Sequence, residues 1–199
     1  KLWHVFDKKA TSYKYFWFLS ILQNYKETKK EDIPFKNILI KMASCAWKYV
    51  FAENGIFPQI DQLPNYIRTI KDSLRLDELS NNKDIEIKAA RYYEALEVGK
   101  TLHPLLKNVP YRFLSPWIPY TDNDDVIDNS KNPDLRCPYS LHEFYITINP
   151  IWGDYLIDNY DKLAQFIDNE LRIYLKCDRV VKAMTVTEFT KICRELQGR

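Results

Sequence analysis

The stretch TSYKYFWFLSILQNY, from Thr11 to Tyr25, limits the folds open to this chain more than any other segment. Apolar side chains at Tyr13, Tyr15, Phe16, Trp17, Phe18, Leu19, Ile21 and Leu22 surround a helix on nearly every face instead of forming one stripe. Such a helix belongs at the centre of a domain, and other elements must wrap it. The rest of the sequence supplies them at helical period. After a charged connection running from Lys26 through Lys30 to Asp32, Pro34 suits the first turn of a second helix, where its missing N–H costs nothing. Phe35, Ile38, Leu39, Met42, Ala43, Ala46, Tyr49 and Val50 then recur at helical spacing, leaving Lys36, Lys41 and Lys48 for water or a partner. A shorter helix is expected over 63–76 with Pro64 in its opening turn, and a longer one over 84–106, ended or kinked by Gly99 and Pro104.

The texture changes at 109–120, VPYRFLSPWIPY, whose prolines favour extended structure. An acidic loop follows, and 143–148 alternates as a short strand with Phe144, Ile146 and Ile148 on one face, so the two extended pieces are expected to pair. Asn149 before Pro150 marks the start of another long helix reaching about residue 176. A last helix is marked by a capping box, Thr185 with Glu188, and the stripe Phe189, Ile192, Cys193, Leu196. No internal repeat appears. The expected fold is mainly α, a single compact helical domain over 1–199 with a small extended or two-stranded β element and a proline-rich, acidic insertion at about 109–148.

Composition narrows the chemistry. With 46% hydrophobic and 15% aromatic residues the chain can bury a core, while only four glycines in 199 residues leave few phosphate-cradling loops and argue against Rossmann and P-loop enzymes. The cysteines Cys45, Cys137, Cys177 and Cys193 are widely separated and read as reduced thiols rather than zinc ligands. No apolar stretch is long enough to span a bilayer and the start has no signal-peptide core, so the default location is cytoplasmic, without membrane contact; a leader or further domains before Lys1 would lie outside these residues. His4, His103 and His142 are the only histidines, and no HExxH or serine-nucleophile elbow contains them. Neighbours on an extended chain point to opposite faces, so His142 and Glu143 make no dyad. The acidic run from Asp122 to Asp128 lacks the glycine and terminal glutamate of an EF-hand loop. These residues contain no complete catalytic motif and imply no cofactor of their own.

Charge is uneven. Residues 1–52 hold ten Lys against four Asp/Glu, whereas 121–178 hold five Lys/Arg against twelve Asp/Glu. A basic N-terminal part can attract phosphate. The candidate contacts are Lys14, the sole charge in a very apolar helix, together with Lys36, Lys41 and Lys48 on the second helix and Arg112, with Tyr111 as a stacking face. The alternative is a core aromatic cluster in which Lys14 snorkels and Arg112 pairs internally.

Three segments in order, TSYKYFWFLSIL, VPYRFLSPW and INPIWGDYLIDNYDKL, resemble the helical N-terminal region of bacterial HNH endonuclease-domain proteins across most of residues 10–175. In that family a metal-dependent ββα nuclease module lies C-terminal to such a region; here no histidine follows His142, and the HNH module is not among these residues. The resemblance implies a non-catalytic domain that positions DNA, a protein partner or the nuclease module, in restriction or phage defence, with any divalent metal held by that module. The alternative is a protein-interaction or dimerisation module, without DNA binding, in which Trp117 and Tyr120 anchor an apolar interface.

Overall fold

The computed structural model describes residues 1–7 and 10–177. The all-apolar helix is α1, Tyr13–Thr28, and it is central: Tyr15, Phe16, Trp17, Phe18, Leu19, Ile21 and Leu22 are all buried. Its first turn is held from a distance, because the Ser12 N–H donates to the buried Asp61 carboxylate at 2.6 Å and the Leu63 N–H donates to the other oxygen at 3.1 Å. Lys29 takes the left-handed conformation that ends the helix, its N–H donating to the Tyr25 carbonyl. The chain then forms a short strand β1, Asp32–Pro34, and Pro34 caps α2, Phe35–Phe51, which packs against α1.

Helix α3, Leu63–Leu74, has Pro64 in its first turn as expected. The expected long helix over 84–106 is instead α4, Asn82–Arg91, a tight turn, α5, Val98–Leu102, and a 3₁₀ turn, His103–Lys107. The break comes before Gly99, and Gly99 lies inside α5. The chain doubles back so closely that a Cβ on Gly99 would sit 2.4 Å from the Tyr93 ring, and the Gly99 N–H donates to the Tyr93 carbonyl at 3.0 Å. Helix α4 is capped by Asn81, whose side chain accepts from the Asp84 N–H, and runs antiparallel to α2. That direction follows from three contacts: Lys36 over Tyr93, Lys41 against Glu86, and the Trp47 indole N–H donating to the Glu78 carbonyl.

The segment after residue 108 corrects the sequence expectation. VPYRF is helix α6, Val109–Phe113, not a strand. Pro110 falls in the first turn, where its fixed φ is helical and no N–H is required, and Pro116 and Pro119 lie beyond the helix end. The acidic stretch is likewise ordered: Asp122 caps α7, Asn123–Ser130, accepting from the Asp125 N–H, and Asp124 and Asp125 lie in the first turn, where the helix dipole favours negative charge. The sheet therefore forms from other partners. Strand β3, Tyr145–Ile148, lies between β1 and β2, Tyr139–Leu141, all antiparallel, with Ile33, Leu141, Ile146 and Ile148 facing the core. Phe144 does not join that face; it sits in the β2–β3 turn and is 69% exposed.

Asn149 caps α8, Pro150–Asp158, as the sequence indicates, but the helix breaks at Asn159 before α9, Tyr160–Tyr174. The result is a mainly α fold with a three-stranded antiparallel sheet, and among the described residues no helix is long and apolar enough to cross a membrane. The final capping-box helix expected over 185–196, with Cys193, lies outside the described residues.

The three distinctive sequence segments meet in the core. The Trp17 indole N–H donates to the Tyr139 hydroxyl at 3.0 Å, which donates to the Pro110 carbonyl at 2.8 Å, both bonds fully buried. Phe113 contacts Phe6, Phe18 and Tyr139, and Trp117 meets Trp152 edge-on at 5.8 Å. Paired burial of these rings, each covering a large apolar area, explains why the segments stand out as aromatic.

Candidate functional site

Among the described residues a polar cleft is walled by α1, α2, α4 and α9. Helical spacing builds each wall. Leu19, Gln23 and Glu27 repeat every four residues on α1, Lys41, Cys45 and Lys48 share one face of α2, and Tyr160, Ala164 and Asp168 share one face of α9. Asn82, Lys83 and Glu86 close it from α4. Gln23 and Asn82 line both of its lobes, of about 340 and 560 Å³.

Ion pairs occupy its floor. Lys41 is 8% exposed and its ammonium donates to Glu27 at 2.6 Å and Glu86 at 2.7 Å, while the Ser44 hydroxyl donates to the second Glu86 oxygen. Burial alone would lower the Lys41 pKa, but the hydrogen bonds to Glu27 and Glu86 outweigh it and leave it raised. At the other end Asp168 accepts from Lys48, from the Tyr49 hydroxyl and from Arg172, whose guanidinium also forms a fork with Glu53 at 2.8 and 2.9 Å. Burial would raise the Asp168 pKa, yet these three donors hold it below the usual carboxylate range. Between the two networks the Cys45 thiol donates to Gln23 Oε1 at 3.1 Å. Burial, and then the nearby Glu86 carboxylate, push that thiol up to about 12, which favours the protonated thiol over the nucleophilic thiolate.

Of the six sequence-predicted contacts, the structure brings only Lys41 and Lys48 into one site, and both ammoniums are engaged by carboxylates. Lys14 donates to the Val5 carbonyl at 3.0 Å, holding the N-terminal 3₁₀ turn against α1. Lys36 is exposed at the opposite end of α2, its ammonium 4.6 Å from the Tyr93 ring centre. Arg112 lies over the Tyr120 ring at 3.9 Å, and Tyr111 is half-buried, its phenol pKa raised by burial and then by Asp124. Trp117 is 6% exposed and Tyr120 donates to Asn123, so Trp117 belongs to the core rather than to an exposed interface, because its ring packs on Trp152.

Sequence reasoning also missed a second constellation. The register sets Asp32 opposite Thr147 and Thr147 opposite Ser140, a row across all three strands. The Thr147 hydroxyl donates to Asp32 at 2.6 Å, and His142 Nε2 lies 3.2 Å from both hydroxyls, its ring stacked on Tyr145. Residues 32 and 147 are too far apart in sequence for any motif to join them. In the cleft, the missed residues are side-chain amides, Gln23, Asn82, Gln165 and Asn169; the one legible signal is the polar pair Gln23 and Glu27 at four-residue spacing on α1, beyond its mostly apolar first turns.

Comparison with known proteins finds no matching family model, no matching curated protein and no matching solved structure.

Proposed function

We propose that this chain is a non-catalytic DNA-binding or DNA-positioning domain of a bacterial HNH-type nuclease, acting in restriction or phage defence in the cytoplasm. One observation carries the reading. Lys29, Lys30, Lys36 and Arg91 are exposed, and none pairs with a carboxylate among the described residues. They gather at one end of the helical layer: α1 ends at Thr28, α2 begins at Phe35, and the antiparallel α4 brings Arg91 to the same end, where Tyr93 lies under Lys36. Long cationic side chains without a carboxylate partner keep N–H donors for phosphate oxygens. This moves the contact surface away from Lys41 and Lys48, whose charges are spent on Glu27, Glu86 and Asp168, and retains Lys36. Any divalent metal belongs to the nuclease module.

Anisotropy of labelled duplex DNA, measured across a salt series, tests the reading. Four phosphate contacts give a slope of log Kobs against log salt of about −3.6, and each charge reversal, as in Lys36→Glu, reduces its magnitude by about 0.9. No binding at low salt, or a slope unmoved by reversing all four charges, overturns it. A mass that rises with protein concentration, without DNA affinity, supports a protein-interaction module instead.

A further inference from the structure

The basic end of the helical layer carries aromatic rings as well as charge. Among the exposed large apolar side chains of the described residues only two are aromatic, Tyr92 and Phe144, at 38% and 69% exposure, and both lie at this end. Tyr92 follows the exposed Arg91 where α4 stops. Phe144 arrives from the β2–β3 turn, whose backbone is pinned twice: the His142 N–H donates to the Tyr145 carbonyl at 3.0 Å, and the Phe144 carbonyl accepts from the Phe35 N–H at 2.9 Å. Lys36 links the two rings. It follows Phe35 in the first turn of α2, and its ammonium lies 4.6 Å from the centre of the ring of Tyr93, the neighbour of Tyr92. A single exposed apolar residue needs no explanation, but two aromatic rings on either side of a cation, with Lys29 and Lys30 at the same end, form a pattern. Charge here is mixed, because Glu31, Asp32 and Glu143 are also exposed and only Asp32 is engaged, by the Thr147 hydroxyl. The cations alone therefore attract a polyanion weakly, and the rings must supply the rest of the affinity.

We infer that this end takes single-stranded DNA, with bases stacked on Phe144 and Tyr92 and the phosphate between them on Lys36. The inference rests on the DNA-binding reading above and names the form of the ligand. Inside a duplex both faces of a base are covered by its neighbours, so a protein ring gains contact only by unstacking a step. In a single strand those faces are free, and every base has one, so stacking adds affinity without sequence preference. Cations that follow the backbone beside aromatic rings suit such a strand. A protein partner, by contrast, would meet two rings separated by a charge rather than one continuous apolar patch.

Fluorescence anisotropy of labelled oligothymidylate, of an abasic strand and of a duplex, all of equal length and measured across a salt series, tests the inference. The expected result is that oligothymidylate binds roughly tenfold more tightly than either other probe at low salt, the contribution of one stacked base. Four phosphate contacts on a single strand give a salt slope of about −2.8, against about −3.6 on a duplex. Phe144→Ala and Tyr92→Ala, at exposed positions outside the core, should each weaken oligothymidylate binding by roughly tenfold and leave duplex binding within about twofold, while Phe144→Trp keeps the wild-type affinity. Oligothymidylate bound no better than the abasic strand or the duplex, or bound equally by both alanine variants and wild type, overturns this inference while duplex binding still supports the DNA-positioning reading. Failure of all three probes to bind overturns both. A mass that rises with protein concentration and falls in Phe144→Ala, without strand binding, overturns the inference in favour of contact between copies of the chain.

Discussion

Arg172 ties the end of α2 to α9, and replacing it isolates the worth of that tie. Its side chain is 9% exposed and, among the described residues, makes three charge-assisted hydrogen bonds, two to Glu53 and one to Asp168, whose side chains are 26% and 28% exposed. Arg172→Met keeps most of the packing volume and removes all three bonds. Breaking a buried ion pair typically costs about 3–5 kcal/mol. Here the low end applies, because Glu53 and Asp168 keep about a quarter of their surface in water and Asp168 retains Lys48 and Tyr49 as donors. The expected loss is therefore about 3 kcal/mol in urea unfolding at pH 7, or about 6–12 °C in Tm for a domain of this size. Arg172→Lys keeps the charge without the fork and loses less, about 1–2 kcal/mol. The pH dependence sharpens the test. The Arg172 hydrogen bonds hold Glu53 below the usual carboxylate range, and Asp168 is lowered as well. A lowered folded pKa adds stability above the unfolded value, and that stability is lost as pH falls through the folded one. The gap between wild type and Arg172→Met should thus narrow between about pH 5 and pH 2. A loss under about 1 kcal/mol at pH 7, or a gap that stays constant into acid, refutes the reasoning.

Three further outcomes follow from other parts of the fold. Lys41→Met strands Glu86 beside Ser44 and should cost about 2–3 kcal/mol by urea unfolding, much of it recovered in the double variant Lys41→Met with Glu86→Gln; a double variant no better than the single one contradicts the pairing. Asp61→Ala removes the acceptor for the Ser12 and Leu63 N–H groups and should cost about 2 kcal/mol. Burial raises the Asp61 pKa despite those bonds, so its stability contribution falls as pH rises through the folded value, opposite in sign to Glu53; replacing Asp61 should flatten that part of the stability curve measured by thermal unfolding. Cys45, with its thiol pushed up to about 12, should resist a thiol reagent at pH 8 in the folded chain and react on unfolding; prompt modification of Cys45, located by peptide mass mapping, rules out the closed floor of the cleft.

Locally encoded features were the readable ones. All-round apolar character marked α1 as central, a period-3.6 stripe marked α2, and the Asn149–Pro150 pair marked the start of α8. These depend on side chains within a turn or two of each other, so the sequence determined them by itself. Prolines were misread at 109–120 because a proline breaks a helix only in its interior, and Pro110 stands in a first turn. The helix breaks at 92–97 and at Asn159 carry no proline; the tertiary packing of Tyr93 on Gly99 and the docking of α8 and α9 decide them. The sheet was legible only at β3, since β1 and β2 are three residues each and exist through pairing with it.

The candidate site divides along the same line. Net basicity near the start was visible in the sequence, as was the aromatic richness of the three segments that pack together. Which lysines are left without a carboxylate partner was not, because ion pairing joins residues far apart in the chain: Lys41 with Glu86, Lys48 with Asp168. The same physics hid the cleft, whose amides at 23, 82, 165 and 169 look like ordinary surface polar residues until three helices bring them together. The sequence by itself determined that a buried aromatic helix would be wrapped by amphipathic ones, since hydrophobic burial is read from periodicity. Only the tertiary structure decided which polar groups were left over, because hydrogen-bond satisfaction depends on distance in space.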